Sequence, residues 1–325
     1  MQLGPKTSTI CNAGDVISAA LRHLLARAAR SEALRQLAED APVASAVAHR
    51  FVAGRTLAQA VDVTRNLNAA GFSVALDHLG EAVTDETEAR RAAATYRRVL
   101  ERVREQGLDA SISVKPSQMG VDIAVELAAE LIGSLADDAS AIGTHVTLDM
   151  ESSAHTQVTI DLVLSLRAVG HANVGCAVQS MLFRTAADVD ALIDAGASLR
   201  LCKGAYAEPP AVAHQDGLSI AVSYVRLADR LLKGEGLPRF ATHDKHLVDR
   251  LLVLSSERGR GPGDREWQML YGVREVLQRE LLDAGERVRI YVPFGDQWYP
   301  YLVRRMAERP ANLLLFLRAL VGRRA

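Results

Sequence analysis

The segment HVTLDME, residues 145–151, is a short apolar run that ends on charged residues, and the chain repeats this pattern. Seven further segments share it, each followed by a helical pattern: FSVALDHLG (72–80), ASISVKPS (110–117), VGCAVQS (174–180), SLRLCKGAY (198–206), RFATHD (239–244), EWQMLYG (266–272) and RVRIYVPFG (287–295). Eight strands that alternate with helices predict an α/β fold, a closed (βα)8 TIM barrel whose chemistry lies at the carboxyl ends of the strands. The many Val, Ile and Leu residues predict strands buried on both faces.

An open, doubly wound sheet is the alternative architecture for the same alternation of strands and helices. Such a sheet usually carries a glycine fingerprint after its first strand. Here that turn reads Asp77-His78-Leu79-Gly80-Glu81 and has no GxGxxG pattern. The sequence therefore favours the barrel.

The first 70 residues show helical patterns and no convincing strand. One pattern covers residues 13–38, and another covers residues 56–70, capped by Thr56 and stopped by Gly71. We therefore expect residues 1–71 to form a helical arm packed on the barrel. Residues 72–325 then form the barrel and a C-terminal helix, and the tail from 310 to 325 covers one barrel end or attaches to a membrane surface.

Helical patterns also lie between and after the strands. Caps are expected at Thr84 or Asp85, at Ser152 or Ser153, and at Thr185. The predicted helices cover residues 85–106, 121–136, 155–169, 185–195, 214–233, 245–258, 273–284 and 296–308.

Composition limits the class of protein. The 325 residues are 49% hydrophobic, enough for one barrel with an extra segment, and the formal net charge of −1 argues against nucleic acid as a partner. The cysteines Cys11, Cys176 and Cys202 have no CxxC spacing and indicate a reducing compartment. Without a signal peptide or an apolar run long enough to span a bilayer, we expect a cytoplasmic protein, with peripheral contact at the inner face of the membrane left open.

Polar side chains occupy the predicted strand ends: Lys115, Asp149, Gln179, Lys203, His243 and Tyr291. Lys115 and Asp149 follow neighbouring strands and could pair, in either a structural or a functional role. Arg200 and Lys203 bring two cations into the barrel, which is costly unless a carboxylate, an anionic ligand or a polar ligand meets them. Gly204 would allow close approach of a ligand. With no metal-ligand spacing, these residues predict a cationic, metal-free pocket for an anionic ligand, such as a phosphorylated cofactor.

The segment YLVRRMAE (301–308) adds two adjacent arginines on a predicted helix. Arg304 and Arg305 lie about 100° apart around the helix axis. Over the barrel mouth they would form a two-pronged clamp for a carboxylate or phosphate. Glu308 lies one turn below them and Tyr301 one turn above. A solvated basic face is the alternative interpretation.

Taken together, the segments resemble the proline dehydrogenase family, including the corresponding domain of the bifunctional proline utilisation enzymes. The resemblance runs from about Phe72 to Asn312, in family order: SVKPSQMG (113–120), LDME (148–151), RLCKGAY (200–206), FATHD (240–244), RIYVPFG (289–295) and YLVRRMAE (301–308). It implies a distorted (βα)8 barrel that binds FAD noncovalently, with the eighth helix over the mouth. It also implies oxidation of L-proline to Δ1-pyrroline-5-carboxylate by hydride transfer to flavin N5, with electrons passed to a quinone. This is the first step of proline catabolism to glutamate, and pyrroline-5-carboxylate dehydrogenase would act next.

The resemblance also implies roles for individual residues. Arg304 and Arg305, joined by Lys115, match the clamp on the substrate carboxylate, with Glu308 behind it. Asp149 matches the acidic partner of Lys115 and, with Arg200 near flavin N5 and O4, is expected to be catalytic. The substrate pocket is expected to include Tyr206, Leu270, Tyr291 and Tyr301. Flavin contacts match Met150, Gln179, Arg200, Lys203, Gly204, Ala205, Thr242 and His243.

Two departures from the family pattern lie beside the flavin region. Asp244 stands where the family often has Asn, and Tyr271-Gly272-Val273 stands where it often has His-Gly-Met. Two other functions stay open from the residues alone. One is a Schiff-base lyase that uses Lys203 or Lys115 as its nucleophile, and the other is a noncatalytic binding protein that retained the fold.

Overall fold

Eight parallel strands close into a barrel in chain order in the computed structural model, with β8 beside β1. The structure describes residues 50–307, and the side chains of residues 50–303. The strands are β1 (Ser73–His78), β2 (Ala110–Val114), β3 (Val146–Leu148), β4 (Val174–Gln179), β5 (Ser198–Cys202), β6 (Arg239–Ala241), β7 (Glu266–Leu270) and β8 (Arg287–Phe294). Each lies within its predicted segment, so the predicted (βα)8 barrel is confirmed and the open sheet is excluded.

Helices separate the strands along the described chain. They are α1 (Leu57–Ala69), α2 (Glu86–Glu105), α3 (Val125–Ala141), α4 (Ser153–Ala168), α5 (Thr185–Asp194), α6 (Gly217–Lys233), α7 (Lys245–Glu257), α8 (Glu275–Asp283) and α9 (Trp298–Ala307). Thr56 caps α1 in a capping box with Gln59, as its position predicts. Asp85, the second of the two candidates, caps α2 by accepting from the backbone N–H of Glu88.

Two predicted helix starts are wrong. Helix α3 begins at Val125 rather than 121, because residues 121–123 form a turn after the 3₁₀ helix Pro116–Met119 and the left-handed Gly120, at φ +84°. Thr185 does not cap α5, since it is already helical and its hydroxyl donates to the Gln179 carbonyl at 2.5 Å. That bond instead ties α5 to the end of β4.

The barrel interior is polar, even though strands such as β2 and β4 are buried along their whole length. Residues such as Leu76, Ile112 and Trp267 are fully buried in the hydrophobic core, which the strands share with the surrounding helices. The alternate positions carry polar groups that meet across the barrel, as when Arg200 on β5 donates to Ser113 on β2 at 2.8 Å. A period of two along each strand separates these faces. The polar groups therefore converge on the barrel axis.

Residues Arg50–Asp296 form one compact unit, in which α1 packs against β1 and β8. Helix α9 belongs to a second unit and is described by itself. The helical patterns at 13–38 and 310–325 lie outside the described residues, so the arm over 1–71 and the position of the eighth helix over the mouth stay predictions. None of the helices in the described part of the chain is long and apolar enough to cross a membrane.

Candidate active site

Lys115 lies at the carboxyl end of the barrel, directly after β2. Its Nζ is 2.8 Å from Oδ1 of Asp77 on β1 and 3.8 Å from Oδ2 of Asp149. Burial alone would lower the pKa of Lys115, but the carboxylates of Asp77 and Asp149 outweigh it and raise that pKa well above its ordinary value. Lys115 is therefore an ammonium group at neutral pH. A Schiff-base nucleophile must be a neutral amine, so this environment disfavours the lyase for Lys115.

Asp149 uses both carboxylate oxygens to join two other strands. Oδ1 accepts from Nη1 of Arg200 at 2.6 Å, and Oδ2 accepts from the hydroxyl of Tyr291 at 2.6 Å. The Arg200 guanidinium also donates to Gln268 and, at 2.8 Å, to Ser113. Charge-assisted bonds of this kind hold planar groups in one orientation. Asp149 therefore acts as the hub that orients Arg200 and Tyr291.

Tyr291 lies in the middle of β8, not at its end as predicted from the sequence. Its ring centroid is 5.3 Å from the Cζ of Arg200, a cation–π contact. Burial and the neighbouring Asp149 carboxylate raise the pKa of Tyr291 well above 10.0. Tyr291 is thus a neutral phenol that donates a hydrogen bond at physiological pH.

Lys203 and Asp244 form an ion pair at the same end of the barrel, with Nζ and Oδ2 2.8 Å apart. Asp244 also caps the start of α7, where its Oδ1 accepts from the backbone N–H of His246 at 3.1 Å. Although burial opposes it, the Lys203 ammonium lowers the pKa of Asp244. The first departure from the family pattern therefore places a carboxylate against Lys203.

Gln179 ends β4 and is 3% exposed. Its Nε2 donates to the Glu151 carbonyl at 2.7 Å, whereas its buried Oε1 has no hydrogen-bond partner among the described residues. A Cβ atom on Gly204 would lie 2.9 Å from that Oε1 and only 1.9 Å from Sδ of Met181, and Gly204 has φ +110°. Glycine is therefore required here by the local packing itself, in addition to the ligand approach that the sequence suggests.

Thr242, His243 and Leu270 join β6 to β7 at the same end. The backbone N–H of Leu270 donates to Nε2 of His243 at 2.9 Å, and Thr242 Oγ1 accepts from the N–H of Asp244 at 3.2 Å. Because Nε2 accepts, the hydrogen of a neutral His243 ring is on Nδ1. This bond fixes the ring relative to Leu270, a predicted wall of the substrate pocket.

The other predicted site residues lie in the barrel, in α9 or outside the described part of the chain. Met150 is buried beside Asp149, and Ala205 and Tyr206 lie in the loop after β5. Tyr301 lies in α9, which is not placed relative to the barrel here. The side chains of Arg304 and Arg305, and all of Glu308, lie outside the described residues, so the clamp stays a prediction.

Sequence reasoning missed the strongest partner of Lys115. Asp77 is 1% exposed and lies on β1 at the same face as Ser73 and Ala75. The alternation of small or polar residues with Val74 and Leu76 was the available signal. It also missed Glu151, which is buried and accepts from the N–H and hydroxyl of Ser117 at 2.9 and 2.6 Å.

The family of the chain follows from comparison with known proteins. The family model for proline dehydrogenase matches residues 60–314. The chain belongs to the proline dehydrogenase family. Members of this family are oxidoreductases, so the predicted enzyme class is confirmed, and the family implies a flavin cofactor and proline as substrate.

Relatives of this family match most of the chain. Proline dehydrogenase 1 of Bacillus subtilis (strain 168) is 34% identical over 84% of this chain and 90% of its own length. Proline dehydrogenase of Deinococcus radiodurans is 33% identical over 82% of this chain and 87% of its own length. The bifunctional protein PutA of Escherichia coli (strain K12) is 28% identical over 81% of this chain, but over 23% of itself.

Solved structures of this family agree with the fold. Proline utilization A from Bdellovibrio bacteriovorus superposes with a TM-score of 0.78, at 19% identity, over 96% of this chain and 39% of that chain. That likeness supports the barrel alone.

Proposed function

We propose that the protein oxidises L-proline to Δ1-pyrroline-5-carboxylate with FAD as its flavin and passes the electrons to a quinone. The observation that carries the proposal is the network of Lys115, Asp149, Arg200 and Tyr291 at the carboxyl end of a barrel of this family. The reaction begins proline catabolism to glutamate, and a pyrroline-5-carboxylate dehydrogenase would consume the product.

The described residues suit a flavin at this end of the barrel. The isoalloxazine ring presents an N–H group between two carbonyl oxygens, so it needs both acceptors and donors from the protein. Gln179 offers a buried acceptor with no partner among the described residues, and Lys203 offers a half-buried ammonium. The residues that would hold FAD are Met150, Gln179, Arg200, Lys203, Gly204, Ala205, Thr242 and His243. When bound, FAD supplies the two-electron chemistry by accepting a hydride at N5.

Lys115 would contribute a permanent positive charge to the substrate site. Asp77 keeps that ammonium charged and fixed, so it attracts the carboxylate of an amino acid. Arg304, Arg305 and Glu308 would complete the clamp. Holding the carboxylate fixes the ring, so that the carbon next to the nitrogen meets the electron acceptor in one orientation.

Oxidation removes a hydride from that ring carbon and a proton from the nitrogen, which leaves a C=N bond. The ring nitrogen must be a neutral amine to react, because a protonated nitrogen has no lone pair with which to form the C=N bond. Tyr291 is unsuited to act as a base, since its raised pKa keeps it a phenol. We therefore assign Tyr291, with Tyr206, Leu270 and Tyr301, to shaping the pocket around the ring.

The test is a turnover assay with the full-length protein loaded with FAD. L-proline should reduce an artificial dye and a water-soluble quinone, and the product should react with o-aminobenzaldehyde as a pyrroline does. Protein that refuses FAD, or that holds FAD without consuming proline, would contradict the proposal. Trapping of the protein by borohydride with a carbonyl substrate would point to the lyase instead.

A further inference from the structure

A second charged cluster lies inside the barrel at the end opposite the site. Arg239 and Glu266 are the first residues of β6 and β7, and Arg289 lies near the start of β8. His145 directly precedes β3, and Thr147 is its second residue. We call these five residues the base cluster. Typical TIM barrels fill this level with Val, Ile and Leu, so its charges need an explanation.

Glu266 is the carboxylate of the base cluster, and both its oxygens are already engaged. Oε1 accepts from Nε2 of Gln268 at 2.6 Å, and Oε2 accepts from Nε of Arg289 at 3.1 Å. Arg239 lies farther away, with its Nε 3.6 Å from Oε1. Glu266 therefore compensates Arg289 first, and the charge of Arg239 is poorly balanced.

Arg239 is 8% exposed, and its Nε and Nη1 have no hydrogen-bond partner among the described residues. Nε2 of His145 and Oγ1 of Thr147 are buried and lack a partner within the same part of the chain. A buried donor without an acceptor is costly, and a buried charge more so. Burial accordingly lowers the pKa of Arg239 to about 10.

Strand pairing connects these groups, with Thr147 one step nearer the carboxyl end because it pairs with Ser113. Arg239 and Glu266 are neighbours in register, and Nη1 of Arg289 lies 3.4 Å from the Ser111 hydroxyl on β2. Ile112 pairs with Val146, which sets Ser111 beside His145. Burial, followed by the charges of Arg239 and Arg289, lowers the pKa of His145 to about 2, as expected if these side chains face one another. His145 is thus neutral and can carry its hydrogen on Nε2.

We propose that the base cluster binds a small monovalent inorganic anion of the halide class, such as chloride. Arg239 supplies two N–H donors, and His145 and Thr147 supply one N–H and one O–H donor. One negative charge would balance Arg239, because Glu266 and the exposed Asp109, whose Oδ1 is 3.9 Å from Nη1 of Arg289, both pair with Arg289. A single-atom anion is favoured because side chains fill the interior of an eight-stranded barrel. Gln268 links Glu266 of the base cluster to Arg200, but the anion site is distinct from the proline site and does not depend on the proposed function.

The direct test is crystallographic and uses the full-length protein. Crystals grown with sodium bromide in place of sodium chloride should show an anomalous bromide peak within hydrogen-bond distance of Arg239 Nε and Nη1. A base cluster that contains only ordered water in bromide would overturn the proposal.

A solution test uses thermal unfolding at constant ionic strength. Replacing gluconate by chloride should raise the unfolding midpoint by about 2–4 °C once chloride is several times its dissociation constant. Arg239→Met should abolish this dependence, whereas Arg250→Met, which removes a half-exposed arginine, should retain it. If Arg239→Met does not fold, Thr147→Val should shift the dependence to higher chloride. Identical midpoints in chloride and gluconate would also refute the site, whatever the result of the proline assay.

Discussion

The ammonium group of Lys115 is shared unequally, 2.8 Å from Oδ1 of Asp77 and 3.8 Å from Oδ2 of Asp149. Because Asp77 carries most of this pairing, Asp149 can bind Arg200 and Tyr291 with both of its oxygens. The two acids thus have different roles. Asp77 holds a charge in place, and Asp149 orients the groups around it.

Lys115→Met should destabilise the protein by about 3–5 kcal/mol, because Asp77 would be left buried and without its cation. The double variant Lys115→Met/Asp77→Asn should recover part of that loss in urea unfolding. Lys245→Met serves as the control, since its pair with Asp249 is half exposed and contributes about 0.5 kcal/mol or less. If Lys115→Met and Asp77→Asn had strictly additive effects on the free energy of unfolding, the ion pair between these residues would be contradicted.

Tyr291→Phe should raise the KM for proline about tenfold, because a hydrogen bond to a charged acceptor contributes about 1.5 kcal/mol. Flavin content should not change. The matched control is Tyr224→Phe, which removes a buried hydroxyl that donates to the Leu201 carbonyl at 2.9 Å. That variant should lose stability and keep its KM. Equal effects of both substitutions on KM would show that Tyr291 has no special place in the pocket.

The free energy of unfolding should decrease as the pH is lowered, partly because of His145. Its pKa is lowered to about 2 in the folded protein from an ordinary 6.5, so the unfolded chain binds a proton that the folded protein rejects. This contribution of His145 to stability is complete above pH 6.5 and decreases as the pH falls, by about 2 kcal/mol at pH 5. In chloride-free buffer, His145→Gln should lessen the loss between pH 8 and pH 5 by this amount, whereas the exposed His246→Gln should not. If the stability of His145→Gln depended on pH as steeply as that of the wild type, the assignment of this loss to His145 would be refuted.

Asp244→Asn should change the midpoint potential of the flavin more than the stability of the protein. Its pair with Lys203 is partly exposed, 38% and 35%, so stability should change by about 1 kcal/mol or less. Removing the carboxylate leaves the Lys203 charge uncompensated, which favours the more negative, reduced form of a flavin bound there. Redox titration with reference dyes should give a higher midpoint potential than wild type. Asp249→Asn, which breaks an exposed pair on α7, should leave the potential unchanged.

The eight strands could be predicted because each is a short apolar run between turns, and a helix separates it from the next. The partner of Lys115 could not be predicted with the same ease. It depends on the register that pairs Asp77 with Ser113, and residues 36 positions apart in sequence carry no local signal of that pairing. The rest of the polar interior was likewise obscured, because Glu266 and Arg289 lie next to large apolar residues such as Trp267 and Ile290 that belong to the hydrophobic core. Helix α3 was predicted to begin four residues early, because Val121, Ile123 and Ala124 continue its apolar pattern although they precede the helix.

The central claim is that the network around Asp149 prepares proline for oxidation by a bound flavin. Anaerobic titration of the FAD-loaded protein with L-proline, followed by the visible absorbance of the flavin, tests it most directly. We predict that proline bleaches the wild-type flavin and that Asp149→Asn binds FAD normally but needs at least tenfold more proline. A wild-type flavin that stays oxidised in excess proline, or an unchanged titration in Asp149→Asn, would contradict the account.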